Sequence, residues 1–253
     1  MKLEVVLSVL NLKKKDLDKM NIKSKCIVIN QCNKNGYEKY KNFEIYSYKE
    51  SGTSISRNRG LDKVKEDIIL FCDDDVIYND DYEKNILEEF KKNTKADVII
   101  FNFNNLNRNK RINKRNKRIH LYNSLNYATY NIACKRKSIK KIRFNTLFGP
   151  GAKYNNGSDT MFIVDIFKNK LKVYASNKYL GTVTNSKSTW FKGYNRDYFY
   201  NKGALYTAIS KRFRKLLLLQ HLLRHKNELV NYKLKDAYKI MLEGSNNYLK
   251  ENK

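Results

Sequence analysis

The run Ile68-Ile69-Leu70-Phe71-Cys72-Asp73-Asp74-Asp75 constrains this chain most. Its apolar half has no polar face, so as a strand it needs cover on both sides. A parallel sheet layered between helices supplies that cover. The run then ends in three carboxylates. In open α/β sheets ligands gather beyond the carboxyl ends of the strands, where Asp73, Asp74 and Asp75 fall. Adjacent acids repel one another, and solvent or a cation must relieve them. A hard divalent ion is commonly held by one or two carboxylates plus the phosphates of a substrate. An isolated acidic triplet is as a rule a solvated turn; the buried strand leading into this one argues for a site.

The flanking sequence supports the same architecture. Leu3 to Leu10 reads as a first strand ending at Asn11, Lys13 to Met20 as a short helix, and Cys26 to Ile29 as a second buried strand closing on Asn30. Phe43 to Tyr48 is a third strand. A helix starts at Ser51-Gly52-Thr53-Ser54, whose hydroxyls suit a cap, and its first turns carry Arg57 and Arg59, well placed to hold phosphate. After the acids come a helix from about Asp80 to Lys92 and a strand over Asp97 to Phe101. This alternation predicts a Rossmann-like, mostly parallel central sheet flanked by helices.

Asn102 to Arg118 is polar and basic and reads as a mobile surface loop; residues 121 to 144 read as edge strands. Phe148 to Thr160 is a glycine-rich loop opening a helix, which Ser158 or Asp159 can cap, and its Gly149-Pro150-Gly151 is read as flexible enough to close over a ligand. It is neither a Walker loop nor G-x-G-x-x-G. Leu171 to Ala175 and Tyr179 to Thr184 are expected as two late strands, followed by helices near 194–209, 211–225 and 232–249. The division is therefore residues 1–192 and a helical region, 193–253.

Composition narrows the partners. Lys and Arg number 52 against 25 Asp and Glu, a net charge of +27, which suits polyanions: nucleic acid, an anionic membrane face or phosphorylated substrates. Between Asp97 and Asp159 there is no acid but fourteen Lys and Arg. No stretch approaches the ~18 apolar residues of a membrane span. Met1-Lys2-Leu3-Glu4 leads into a strand and is read as no signal peptide. Cys26, Cys32, Cys72 and Cys134 form no C-x-x-C pair and read as reduced thiols of a cytoplasmic protein. In the helical region, Ile209, Phe213, Leu216, Leu217 and Leu223 share one stripe read as core. Leu218 and Leu222 fall among Lys211, Arg214 and Lys215 and are read as facing an anionic lipid surface, the alternatives being neighbouring helices or a second copy of the chain.

These pieces together resemble the GT-A fold family-2 glycosyltransferases, in particular bacterial enzymes of surface-polysaccharide synthesis, over roughly residues 3–205. The likeness rests on Ser8-Val9-Leu10-Asn11, Ser56-Arg57-Asn58-Arg59-Gly60, Asp73-Asp74-Asp75 and the loop-helix from Phe148 to Phe162. Ser188-Thr189-Trp190-Phe191 with Lys202-Gly203-Ala204 adds a subgroup segment. The resemblance implies that Asp73 and Asp75 match a D-x-D motif, the first acid facing the ribose and the last holding Mn²⁺ or Mg²⁺, with Asp73 also counted toward the metal. It places Ser8, Asn11, Asn30, Arg57, Asp73 and Asp74 around a nucleotide sugar, and Gly151, Ser158 and Trp190 on the acceptor side. Asp159 matches the catalytic base of an inverting transfer. Asn30 stands where the family has an aspartate that reads the base, and Ser158-Asp159 where it has Glu-Asp; no Q-x-x-R-W follows. The implied partners are a nucleotide-sugar donor, a saccharide or lipid-linked acceptor and an anionic membrane surface. Apart from the resemblance, the apolar faces of the C-terminal helices offer a homodimer as the alternative to the membrane. The enzyme would then be cytoplasmic, peripheral on the inner face of the membrane, with no nucleic acid bound.

A different class competes on charge: a basic nucleic-acid-binding protein, or a metal-dependent nuclease using the Asp73–Asp75 cluster. Against it, the bases cluster in a loop and a helix and match no nucleic-acid motif, and the Asp159 helix would have no role.

Overall fold

The computed structural model describes residues 1–105, 112–184, 193–229 and 231–252. Its strands are β1 (Leu3–Leu10), β2 (Lys25–Gln31), β3 (Gly36–Tyr40), β4 (Phe43–Tyr48), β5 (Ile68–Asp73), β6 (Val76–Tyr78), β7 (Val98–Asn105), β8 (Lys117–Arg118), β9 (Ile132–Lys135) and β10 (Val173–Val183). Its helices are α1 (Lys14–Leu17), α2 (Thr53–Lys63), α3 (Tyr82–Lys92), α4 (Ser158–Lys168), α5 (Arg196–Ile209), α6 (Arg214–Arg224) and α7 (Leu234–Glu251). The sheet order is β3-β4-β2-β1-β5-β9-β7-β10-β6, with β8 on β10. Among the described residues the longest ladders are the parallel ones, β4 to β2, β2 to β1, β1 to β5 and β7 to β10. This is the expected α/β sheet, with antiparallel pieces added at its edges and at one internal position.

Alternation along the buried strands divides the core. One face of the sheet packs Val5, Leu7 and Leu70 with Tyr82, Ile86 and Phe90 of α3. The other packs Val6, Ile27, Ile29 and Phe71 with Phe162 and Ile166 of α4. Helix α2 lies close on β1 at Gly60, where a Cβ would stand 2.3 Å from Val6 Cγ1. The glycine of the Ser56–Gly60 segment is thus a close-approach residue that sets how near Arg57 sits to the strand ends.

Four expectations need correction. Residues 121 to 144 do not supply edge strands: Ile132–Lys135 is inserted in the middle of the sheet, antiparallel to both β5 and β7. Being apolar and covered on both faces, this short run has the pattern of an internal strand. The two late strands are one, β10, with register shifts near Ala175 and Tyr179. Strand β7 continues to Asn105, so the polar stretch after Phe101 begins as sheet, while residues 106–111 lie outside the described ones.

Helix α6 turns its faces the other way round from the expected ones. Leu218 and Leu222 are fully buried against Phe199, Ala237 and Met241 of α5 and α7, whereas Phe213, Leu216 and Leu223 are exposed. The stripe read as core is the outer one. Both sides of α6 carry leucines, so periodicity alone has no means of choosing between them.

Candidate active site

Asp73 ends β5 opposite Ser8 of β1, in a sheet register that brings both to one edge. Ser8 Oγ in turn donates to Ser56 Oγ of α2 at 2.7 Å. From the next residue of α2, the Arg57 side chain reaches across that edge. Its two terminal nitrogens donate to Asp73 Oδ1 at 2.8 Å and to Asp159 Oδ1 at 2.7 Å. The guanidinium is buried, stacked 5.3 Å from the Phe144 ring centroid, and among the described residues its Nε has no hydrogen-bond partner. Burial opposes its charge, but Asp73 and Asp159 outweigh that, so its pKa is raised and it stays cationic.

Asp159 lies in the first turn of α4, where the helix dipole favours a carboxylate. It does not cap that helix. The N-cap is Gly157, in left-handed backbone at φ 96°, with no side-chain cap. Asp159 Oδ1 takes Arg57 and the hydroxyl of Thr129 instead. Ser158 is turned away, its Oγ 2.8 Å from Ser54 Oγ.

The Gly149–Gly151 segment is anchored, which corrects the flexible loop expected from its composition. Thr53 N donates to Pro150 O at 3.0 Å and Ser54 Oγ to Phe148 O at 2.7 Å. Gly151 has φ 77°, and a Cβ on it would sit 2.9 Å from Ser51 Oγ. Its glycine is there for this fit against the start of α2.

Asn30 is buried, its Oδ1 accepting from Leu12 N at 2.9 Å and its Nδ2 donating to Ser47 Oγ at 3.1 Å. It ties the turn after β1 to the end of β2. Asn11 in that turn is left-handed at φ 52°, and its N donates to Gln31 O at 2.9 Å. A cleft of about 260 Å³ opens here, lined by Asn11, Leu12, Lys13, Asp16 and Asp74. On the other side of the Arg57 bridge a cleft of about 280 Å³ is lined by Asn126, Tyr127, Pro150, Gly157, Asp159 and Thr160. Two hollows thus flank one row of charges, Asp74 facing the first and Asp159 the second.

Asp74 has its carboxyl raised by desolvation first and the neighbouring Asp73 second. Asp75 is half-buried, and its carbonyl accepts from Thr184 N at 2.9 Å and Thr184 Oγ1 at 3.0 Å. Among the described residues no three His, Cys, Asp or Glu side chains converge as a ready cage for a metal. The acids on this turn are all hard oxygen donors. They fit a divalent ion that completes its shell with water and substrate phosphates. Trp190 and the segment around it lie outside the described residues.

The arrangement therefore joins a strand-end acid cluster to a helix-borne carboxylate through one buried arginine. The family model for glycosyl transferase family 2 matches residues 24–201, which contain all three. The chain belongs to glycosyl transferase family 2.

Solved structures place this family-2 transferase in the GT-A fold. It is similar to Staphylococcus aureus TarS 1–349 in complex with UDP-GlcNAc, at TM-score 0.67 and 15% identity, covering 96% of this chain and 80% of that one. It is also similar to the mannosyltransferase PcManGT from Pyrobaculum calidifontis in complex with GDP-Man and Mn²⁺, at TM-score 0.55 and 10% identity, covering 100% and 88%. No curated protein matches the chain. Membership of this family favours transfer over the nucleic-acid reading of the same basic composition.

His221 and His225 have ring centroids 4.5 Å apart, but each is engaged elsewhere. His221 lies 3.2 and 3.1 Å from the hydroxyls of Tyr198 and Tyr206, and His225 Nδ1 lies 2.5 Å from Glu228 Oε2. Thr129 was not found by sequence reasoning: a lone threonine in a tyrosine- and asparagine-rich stretch gives no signal until the sheet brings it to Asp159.

Proposed function

We propose that this enzyme is an inverting, divalent-metal-dependent glycosyltransferase. It would move a sugar from a nucleotide-diphosphate donor to a hydroxyl of a lipid-linked saccharide acceptor in bacterial surface-polysaccharide synthesis. The observation that carries the proposal is the Arg57 bridge, which sets Asp73 and Asp159 on opposite sides of one guanidinium.

In this reading the cleft at Asn11 and Asp74 takes the nucleotide, with Ser8, Asn30 and Arg57 shaping its wall. Asp73 and Asp75 would hold Mn²⁺ or Mg²⁺, which when bound neutralises charge developing on the departing diphosphate. Arg57 keeps a fixed cation beside the same position without needing to reorganise. Asp159 takes the proton from the acceptor hydroxyl. The new C–O bond then forms at the anomeric carbon as its bond to the diphosphate oxygen breaks on the opposite face, inverting the centre. Arg57 and Thr129 both hold Oδ1, and among the described residues Oδ2 takes no hydrogen bond, so the second oxygen serves the acceptor. Gly151 and Ser158 belong to the acceptor side in the same proposal, Ser158 lining the Asp159 cleft. The relatives in complex with UDP-GlcNAc and with GDP-Man and Mn²⁺ support the donor class.

The test is a panel of nucleotide sugars with and without Mn²⁺, the product's anomeric configuration being read by NMR. Asp159→Asn keeps size and acceptor capacity but takes no proton, so turnover should fall by ~10²–10⁴-fold with donor affinity little changed. Retention of configuration, full activity in EDTA, or wild-type turnover of a folded Asp159→Asn protein would each overturn it.

A further inference from the structure

The outer face of α6 presents large apolar side chains to solvent. Leu216 is 64% exposed, Leu223 56%, Phe213 54% and Leu219 40%, while Leu218 and Leu222 on the inner face are fully buried. The exposed residues recur at spacings of three and four and so share one side of the helix. They border a groove of about 770 Å³, lined also by Leu121, Val164, Ile209 and Leu217, with Lys168 and Arg224. Single exposed leucines are ordinary, but a contiguous apolar face beside a groove marks an interaction surface.

Charge identifies what covers it. Between Asp197 and Glu228 the sequence holds no acid, but it holds the exposed Lys211, Arg212, Lys215, Arg224 and Lys226. Lys215 and Arg224 are exposed on either flank of the leucines, and the Arg212 guanidinium lies 5.3 Å from the centroid of the exposed Phe213 ring. A second copy of the chain would bring like charges together across such a face. A nucleic acid would use the bases and leave the leucines wet. An apolar strip edged by cations on a short helix fits the interface of a bilayer with anionic headgroups.

We infer that the outer face of α6 docks on an anionic lipid bilayer, with Phe213, Leu216, Leu219 and Leu223 entering the headgroup boundary and Lys215 and Arg224 on lipid phosphates. The position suits the chemistry. Helix α4 carries Asp159 in its first turn and Val164 and Lys168, which line the groove, toward its end. At about 1.5 Å per residue Lys168 is ~14 Å along that helix from Asp159. A lipid-linked acceptor would then be delivered from the same surface that holds the enzyme. That last step rests on the proposed transfer reaction; the docking does not.

The experiment is flotation of the full 253-residue chain with vesicles. One set is equal parts phosphatidylglycerol and phosphatidylcholine; the other is phosphatidylcholine alone. Expected is binding to the first set only, weakened by salt. It should fall about fivefold for each of Lys215→Gln and Arg224→Gln. It should fall by about tenfold or more in Leu216→Gln/Leu223→Gln. The buried face of α6 is untouched in all of these, and near-UV circular dichroism and melting temperature verify folding. Absence of binding to the anionic vesicles overturns the proposal, as does equal binding to both sets or indifference to the leucine pair. A dimer seen by sedimentation that the leucine pair dissolves would overturn it in favour of a second copy. No sugar nucleotide enters the assay, so a failed transfer reaction leaves docking standing, and failed flotation leaves the transferase standing.

Discussion

Arg57 and Asp159 are separated by 102 positions in the chain, yet their side chains meet at 2.7 Å. The pair exists because α2 and α4 both begin at the same edge of the sheet, and because the planar fork of one arginine serves two acids at once. A lysine ammonium is a point donor and does not span both. Arg57→Lys should therefore keep the fold but lower turnover by at least about tenfold, through one lost charge-assisted hydrogen bond. Arg57→Ala leaves two half-buried acids without their counter-charge and should cost ~3 kcal/mol in urea unfolding. Wild-type stability in Arg57→Ala would mean that solvent screens the acids and that the bridge contributes nothing to the fold.

Thr129 holds the same oxygen of Asp159 from the opposite strand connection. It touches no reacting atom in the proposed reaction; it aims the carboxylate. Thr129→Ala should lower kcat about tenfold while KM for the donor stays near its wild-type value, a split that a loss of folded protein would not produce. Thr129→Ser retains the hydroxyl and should recover most of the rate. If serine rescues nothing, the threonine methyl packs the site and the hydrogen bond is incidental.

How much of this was legible in the residues differs from element to element. Ile68 to Cys72 announced a strand buried on both faces, and that strand is observed with the acids at its carboxyl end. The three C-terminal helices were legible from apolar spacing, and their ends fall within a few residues of the expected ones. What failed was everything that depends on a distant partner. Ile132–Lys135 is too short to declare which strands it joins, and it pairs with β5 and β7, which precede it in the chain. Leu218 and Leu222 looked no more buried than Leu216 and Leu223 until α5 and α7 chose a side. Arg57 and Asp159 were each identifiable from local motifs. Their contact, and the hydroxyl of Thr129, arise only when the chain is folded.

The Lys202-Gly203-Ala204 segment, noticed first as a motif, has a packing explanation. A Cβ on Gly203 would stand 1.9 Å from Met241 O, and one on Gly244 would stand 2.0 Å from Tyr200 O. The two glycines let α5 and α7 approach backbone to backbone. Since the obstructing atoms are carbonyl oxygens and not mobile side chains, Gly203→Ala must push the helices apart. A loss of ~1–3 kcal/mol, seen as a lower melting temperature, is expected. An unaltered melting temperature would show that the helix pair relaxes at no cost.

His221 gives the helical region a defined response to acid. It is buried between α5 and α6 with the hydroxyls of Tyr198 and Tyr206 as partners. Burial first, then the charges of Lys202 and His225, lower its pKa from 6.5 to about 3. In the unfolded chain the same imidazole protonates near its ordinary value. Between the two values the unfolded state binds the extra proton, so stability is fully present above pH 6.5 and is lost as pH falls toward 3. The slope contributed by one such group approaches ~1.4 kcal/mol per pH unit. Lys202 is also lowered by burial, from 10.5 to about 8, so its own window lies on the alkaline side and does not overlap. Carboxylates add to acid unfolding in any protein, and the informative quantity is therefore a difference. Urea unfolding of wild type and His221→Gln across pH 7 to 4 should show curves that converge as pH falls, since glutamine keeps hydrogen-bonding capacity but takes no proton. Parallel curves would mean that His221 is hydrated in the folded state and titrates as it does in the unfolded chain.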